Sequence, residues 1–179
     1  MKTSAVGFFL VASVFVAGPA FAQRNASEPM IAPGCGDANV KFDVRSEKSQ
    51  HPSAHPEDGQ ALVYFVEDDS SFESLPRPTT RVGLDGKWVG ANRANSYFYF
   101  PVSPGEHHLC ARWQGFTGVG MGQKSAAAHF TAEAGGIYYF RVQNTSLRDG
   151  PTKIELMPLD SDEGQLLASK FAFSTSHPK

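Results

Sequence analysis

The stretch Thr80-Arg81-Val82-Gly83-Leu84-Asp85-Gly86-Lys87-Trp88-Val89-Gly90-Ala91 holds two β-rich runs, Thr80 to Leu84 and Lys87 to Ala91, with only Asp85-Gly86 between them. Asp and Gly tolerate the positive φ that a two-residue hairpin turn requires, so the stretch reads as a tight β-hairpin. The texture continues outward from it. Short β-rich runs recur at Ala61 to Glu67, Ser96 to Val102, His107 to Trp113, Ala126 to Ala132, Ile137 to Gln143 and Thr152 to Met157. Turn signals separate them: Pro104-Gly105 suits the centre of a type II turn, and Gly135-Gly136 opens the next strand. This spacing predicts an all-β domain, an Ig-like or prealbumin-like antiparallel β-sandwich of seven to eight strands. One short C-terminal helix is expected, because Asp160 with Glu163 forms a capping-box-like start and Leu166, Leu167, Lys170 and Phe171 follow.

The start of the chain has a different character. Lys2, the 13-residue apolar run Ala5 to Ala17, Pro19 and the small-residue pattern Ala20-Phe21-Ala22 match the three parts of a secretory signal, so residues 1–22 are expected to be cleaved. A spanning helix needs about 20 apolar residues, which the run does not reach, and no later stretch is a better candidate. Cys35 follows Ala32-Pro33-Gly34 and lies 18 positions beyond Ala17, so lipid attachment there is not expected. Cleavage leaves 157 of the 179 residues, enough for one domain with its own core. The net charge moves from −2 to −3 on loss of Lys2, a mild value with no electrostatic pull toward nucleic acid or anionic membrane.

Residues 23–60 read as an N-terminal extension, rich in Pro, Ser, His and Glu, with one short strand at Val40 to Val44 and a polar loop from Ser46 to Gln60. Residues 61–159 then form the sandwich and 160–179 the short helix and tail. Cys35 and Cys110 are the two cysteines, and an exported chain meets a compartment where such a pair persists as a disulfide. The alternative is two buried thiols packing as small hydrophobes.

Arg81 to Gly90, then Tyr97-Phe98-Tyr99-Phe100-Pro101 and Pro104-Gly105-Glu106-His107-His108, resemble the bacterial DUF 2846 family, as do Ala61 to Phe65 before them and Ala134 to Phe140 after them. The resemblance implies an exported or envelope β-sandwich of unknown function and carries over no catalytic residues. Many such proteins look like lipoproteins; this chain lacks a lipid-accepting cysteine at its cleavage site. The DGK-x-x-G hairpin followed by PGEH is also similar to PEGA-type surface repeats.

Motifs with chemical potential are sparse. In Gly118 to Ser125, Gln123 stands where a phosphate-binding loop needs glycine before the lysine, so the segment reads as a flexible connection and no cofactor is implied. Pro52 and Pro56 forbid a helix that would bring His51 and His55 together, and His107 and His108 point to opposite faces of one strand; no metal site is expected. Asp160 begins like a calcium loop, but Phe171 occupies the twelfth position where a bidentate Glu belongs. Glu67-Asp68-Asp69 reads as a solvated loop start. Only if a cleft gathers Glu67 with Asp69 do these loop carboxylates suit a periplasmic hydrolase.

The strongest signal is aromatic. Alternation sends Phe98 and Phe100 to one face, Tyr97 and Tyr99 to the other, and separates Tyr138, Phe140 and Val142 from Tyr139. The sequence therefore predicts a contact face of Tyr97, Tyr99 and Tyr139, with Trp88 at its rim, on an exported, periplasmic or extracellular module without catalysis. An envelope protein or a glycan is the expected partner. The alternative is that these rings lie beneath loops or the C-terminal helix.

Overall fold

A computed structural model of the chain describes residues 34–115, 123–148 and 150–179; the expected signal segment and residues 116–122 of the glycine-rich loop lie outside them. Ten strands and one helix follow in the order β1 (Phe42–Glu47), β2 (Ala61–Asp68), β3 (Thr79–Leu84), β4 (Lys87–Arg93), β5 (Ser96–Val102), β6 (Gly105–Trp113), β7 (Ser125–Ala132), β8 (Ile137–Ser146), β9 (Thr152–Leu159), α1 (Ser161–Lys170) and β10 (Ala172–Pro178). They build a six-stranded sheet, β1-β10-β5-β2-β8-β9, facing a four-stranded sheet, β4-β3-β6-β7. The architecture is a β-sandwich.

Two features go beyond the sequence reading. The tail expected after the helix is a strand: β10 pairs with β1 along Phe42 to Glu47 and touches β5 in parallel at Ala172 and Phe173, which raises the strand count from seven or eight to ten. Its partner is the isolated strand of the N-terminal extension, which becomes the edge of the six-stranded sheet once β10 is in place beside β5. The second is that β2 pairs in parallel with β8, so the sheet is mixed.

The hairpin at Asp85-Gly86 is present, with φ of 49° and 82° at the two residues. The core between the sheets gathers Val63, Phe65, Val82, Phe98, Phe100, Leu109, Ala111, Trp113, Phe140 and Val142. Alternation thus placed the phenylalanines correctly. All eight residues of β2 are buried, because this strand lies mid-sheet and both of its faces are covered.

The extension supplies much of that covering. Residues 34–40 cross the outer face of the four-stranded sheet, where Cys35 is bonded to Cys110 of β6 with their Cα atoms 5.0 Å apart. Arg81, which alternation turns away from the core, donates from Nη1 to the carbonyls of Ala38 (3.0 Å) and Val40 (2.6 Å). Residues 51–56 cross the opposite outer face, that of the six-stranded sheet, and α1 lies beside them with Leu167, Ala168 and Phe171 on a second apolar cluster of Leu62, Tyr64, Val66, Tyr97 and Tyr139.

Candidate functional site

Four outward positions on three neighbouring strands carry tyrosine: Tyr64 on β2, Tyr97 and Tyr99 on β5, and Tyr139 on β8. Register makes them neighbours, since Tyr64 pairs with Tyr99 on one side and Tyr139 on the other. The ring of Tyr64 lies 5.0 Å from Tyr139, 5.2 Å from Tyr99 and 6.2 Å from Tyr97. The face is not open, however. Tyr97 is 1% and Tyr139 8% exposed, and only Tyr99 is half-buried, against Phe173.

The cover over Tyr64 and Tyr97 is the strap His51-Pro52-Ser53-Ala54-His55-Pro56. Its residues alternate between exposed and half-buried, so Pro52, Ala54 and Pro56 rest on the sheet while His51, Ser53 and His55 face outward. Two tyrosine hydroxyls hold it: Tyr97 donates to the Pro52 carbonyl at 3.1 Å, and Tyr64 accepts from the Ala54 N–H at 2.8 Å while donating to the Ala54 carbonyl at 3.3 Å. Sequence reading missed Tyr64, because its strand is apolar on both faces and shows no alternation.

Over Tyr139 the cover is α1, held by Arg141 of β8, which donates to the Glu163 carboxylate at 2.9 Å. Between strap and helix remains a cavity of about 340 Å³ lined by the strap, Tyr64, Tyr97, Ile137, Tyr139, Gln165, Ala168 and Ser169. That volume sits at the small end of ordinary ligand pockets, roughly 300–1,000 Å³. Among the described residues no Asp, Glu, Lys or Arg lines it. Burial and the neighbouring Tyr64 raise the Tyr139 phenol above its ordinary range, so the hydroxyl stays protonated and able to donate.

Trp88 lies elsewhere. It stands on β4 in the other sheet, where its Nε1 donates to the Asp37 carbonyl at 2.6 Å and its ring sits 4.5 Å from the Arg81 guanidinium carbon. It is therefore no rim of the tyrosine face; it clamps the segment that Cys35 ties down.

The carboxylates expected in a solvated loop are instead buried. Glu67 and Asp69 are fully enclosed. Asn144 Nδ2 donates to Glu67 Oε1 at 2.9 Å and Asp69 Oδ1 at 2.8 Å, and Thr80 donates to Glu67 Oε1 at 3.1 Å. Trp113 Nε1 can only donate, and it reaches Asn144 Oδ1 at 2.8 Å, which fixes which end of the amide faces the acids. Burial, then the charge of Asp69, push the Glu67 carboxyl well above its usual value; burial raises Asp69 to about 6 against the opposing hydrogen bond from Asn144. Both carboxyls therefore hold their protons more tightly than ordinary carboxylates do. The pair is sealed from the tyrosine cavity, and the hydrolase reading loses its acids.

The histidines divide as alternation required. His107 is buried and His108 exposed. His107 Nδ1 meets Asp85 Oδ2 and Nε2 meets the Ser103 carbonyl, both at 2.7 Å, so both ring nitrogens face acceptors, an arrangement that favours the doubly protonated ring. Burial lowers its pKa, but the bonds to Ser103 and Asp85 outweigh that and raise it. The contact ties the hairpin turn to β6. Among the described residues no group of three His, Cys, Asp or Glu side chains is placed to hold a metal ion, and no helix is long and apolar enough to cross a membrane.

Two sheets facing across an aromatic core, with a disulfide-tied extension over one outer face, define a covered β-sandwich domain. Residues 57–153 match the family model described as protein of unknown function (DUF2846). The chain belongs to the DUF2846 family. No curated protein and no solved structure matches it.

Proposed function

We propose that the chain is exported after cleavage behind Ala22 and serves in the periplasm or cell envelope as a non-catalytic β-sandwich module that contacts a glycan or an envelope protein where the strap and α1 cover the tyrosines, around the cavity left between them. The observation that carries the contact site is the uncharged, tyrosine-floored cavity between the strap and α1. Export is supported by the signal pattern of residues 1–22 and by the Cys35–Cys110 bond, which persists in an oxidising compartment.

Capture experiments with the mature protein test this reading. Envelope extract and a glycan panel are presented to the wild type and to Ile137→Trp, a substitution at a 40% exposed residue of the cavity wall that fills the opening without touching the core. A captured component that the variant no longer holds is the expected result. A component held equally by both proteins removes the cavity from the contact, and intact mass beginning at Met1, or at a lipidated Cys35, removes the export route.

A further inference from the structure

Strand register brings together two histidines that are far apart in the chain. In the antiparallel pair of β6 and β7, His108 stands directly opposite His129. Both are exposed, and their strand neighbours Leu109, Ala128 and Phe130 pack into the core, so the two histidines share the outer face of the four-stranded sheet. How close they come follows from the backbone of His108. The N–H and C=O of a residue in an antiparallel strand point to the same side, so each opposed pair is either hydrogen-bonded or not. His108 commits both groups to Asp85, on the β3 side: its N–H donates to Asp85 Oδ1 at 2.8 Å, and its carbonyl accepts from the Asp85 N–H at 2.9 Å. Toward β7 the His108–His129 pair is therefore non-hydrogen-bonded. That is the arrangement with Cα atoms about 4.5 Å apart, in which opposed side chains approach most closely.

Neither imidazole ring has a hydrogen-bond partner among the described residues. A neutral imidazole keeps one lone pair free for a metal, and two of them side by side suit zinc, copper or nickel, whereas calcium and magnesium take oxygen ligands. The surroundings favour a cation. Glu106 lies two positions back along β6 on the same face, and the other registered positions beside the pair are Thr131, Cys110 and Ala127, none of them cationic. Arg112, beyond Cys110 on that face, donates to Gln123. Sequence reading set His108 only against its chain neighbour His107, which points to the other face; the partner that matters lies across the strand. We propose that His108 and His129 form a two-histidine site for a divalent transition metal, with water completing the coordination. Bound there, the metal clips the edge strand β7 to β6. The site lies on the sheet that does not carry the tyrosines, so it stands or falls independently of the contact site.

The untagged mature protein, in a non-chelating buffer at neutral pH, is titrated with zinc sulfate while the histidine ring ¹H–¹⁵N correlations are recorded, and with copper(II) sulfate by calorimetry. The expected result is that one equivalent of zinc shifts the His108 and His129 rings together and that copper binds more tightly than zinc. His108→Asn and His129→Asn each weaken both metals by about tenfold or more, since losing even a group that supports a ligand has that effect. Both positions are exposed, so the variants retain the fold. Zinc raises the Tm of the wild type and not that of either variant. His177→Asn, at an exposed position of β10 in the other sheet, leaves the affinity unchanged. Saturable binding that moves only one of the two rings, an affinity that either single variant leaves intact, or the absence of saturable shifts with zinc and of heat with copper overturns the site.

Discussion

Gly164 lies flat against the ring of Tyr139: a Cβ built on it would overlap the ring carbons and stand 2.6 Å from the Tyr139 Cβ. In an exposed helix interior Gly→Ala stabilises by about 1 kcal/mol. Here the sign reverses. Gly164→Ala is expected to push α1 off the sheet and cost about 1–3 kcal/mol, the usual penalty of overpacking, with a fall of several degrees in Tm. Thermal unfolding followed by circular dichroism measures it, and a raised Tm would show that the helix has room.

Tyr97 offers a second test of the covered face. Its ring packs 5.5 Å from Phe173 and its hydroxyl anchors Pro52. Tyr97→Ala is expected to cost about 3 kcal/mol or more, as for any buried aromatic truncated to alanine. An exposed contact tyrosine would show a change near zero in the same urea titration.

The bond between Cys35 and Cys110 closes a loop of 75 residues, for which the chain-entropy model gives about 4 kcal/mol. Replacing both cysteines by serine is expected to lower the unfolding free energy by up to that amount. It also frees residues 34–40 from Trp88, so a shift in Trp88 fluorescence below the unfolding transition is expected, and its absence would mean that Arg81 alone holds the segment.

The buried acid pair sets an unusual pH dependence. Both carboxyls hold their protons more tightly in the fold than in the unfolded chain, so their stabilising contribution is fully present below about pH 4. It is lost as pH rises through the folded values, about 6 for Asp69. His107, also raised, runs the same way; Asp85, lowered overall despite burial by its bonds from the His108 N–H and His107, opposes it at lower pH. The urea midpoint is therefore expected to be higher at pH 5 than at pH 7, by the equivalent of about 1–3 kcal/mol. Glu67→Gln with Asp69→Asn flattens the difference. A midpoint that falls on acidification would refute the pairing.

Asn144 is the hub of that network, bonding one oxygen of each carboxyl and the Trp113 Nε1 at once. Asn144→Ala leaves all three groups buried without it, and a loss of about 3 kcal/mol or more is expected at pH 7, less at pH 5, where protonation relieves the acids.

How much of this was legible in the residues varies with the range of the interaction. Phe98 and Phe100 against Tyr97 and Tyr99 followed from alternation, since a strand turns successive side chains to opposite faces wherever it lies. The Asp85-Gly86 hairpin and the Asp160 cap, which accepts from the N–H groups of Asp162 and Glu163, followed from local backbone chemistry. Tyr64 was hidden, because a central strand covered on both sides reads as an unbroken apolar run. Glu67 and Asp69 were misread as solvated, because nothing near them in sequence signals Asn144, some 75 residues away.

By itself the sequence determined the strand periodicity, the tight turns, the helix cap and the family, since each rests on residues within a few positions of one another or on a continuous pattern. Only the tertiary structure decided which faces are covered. Pairing β10 with β1, laying 34–40 over one sheet, and bringing 51–56 and α1 onto the tyrosines are contacts between residues far apart in the chain. Burial is a property of such contacts, so the same outward tyrosine reads as open surface along its strand and becomes a cavity floor once the strap crosses it.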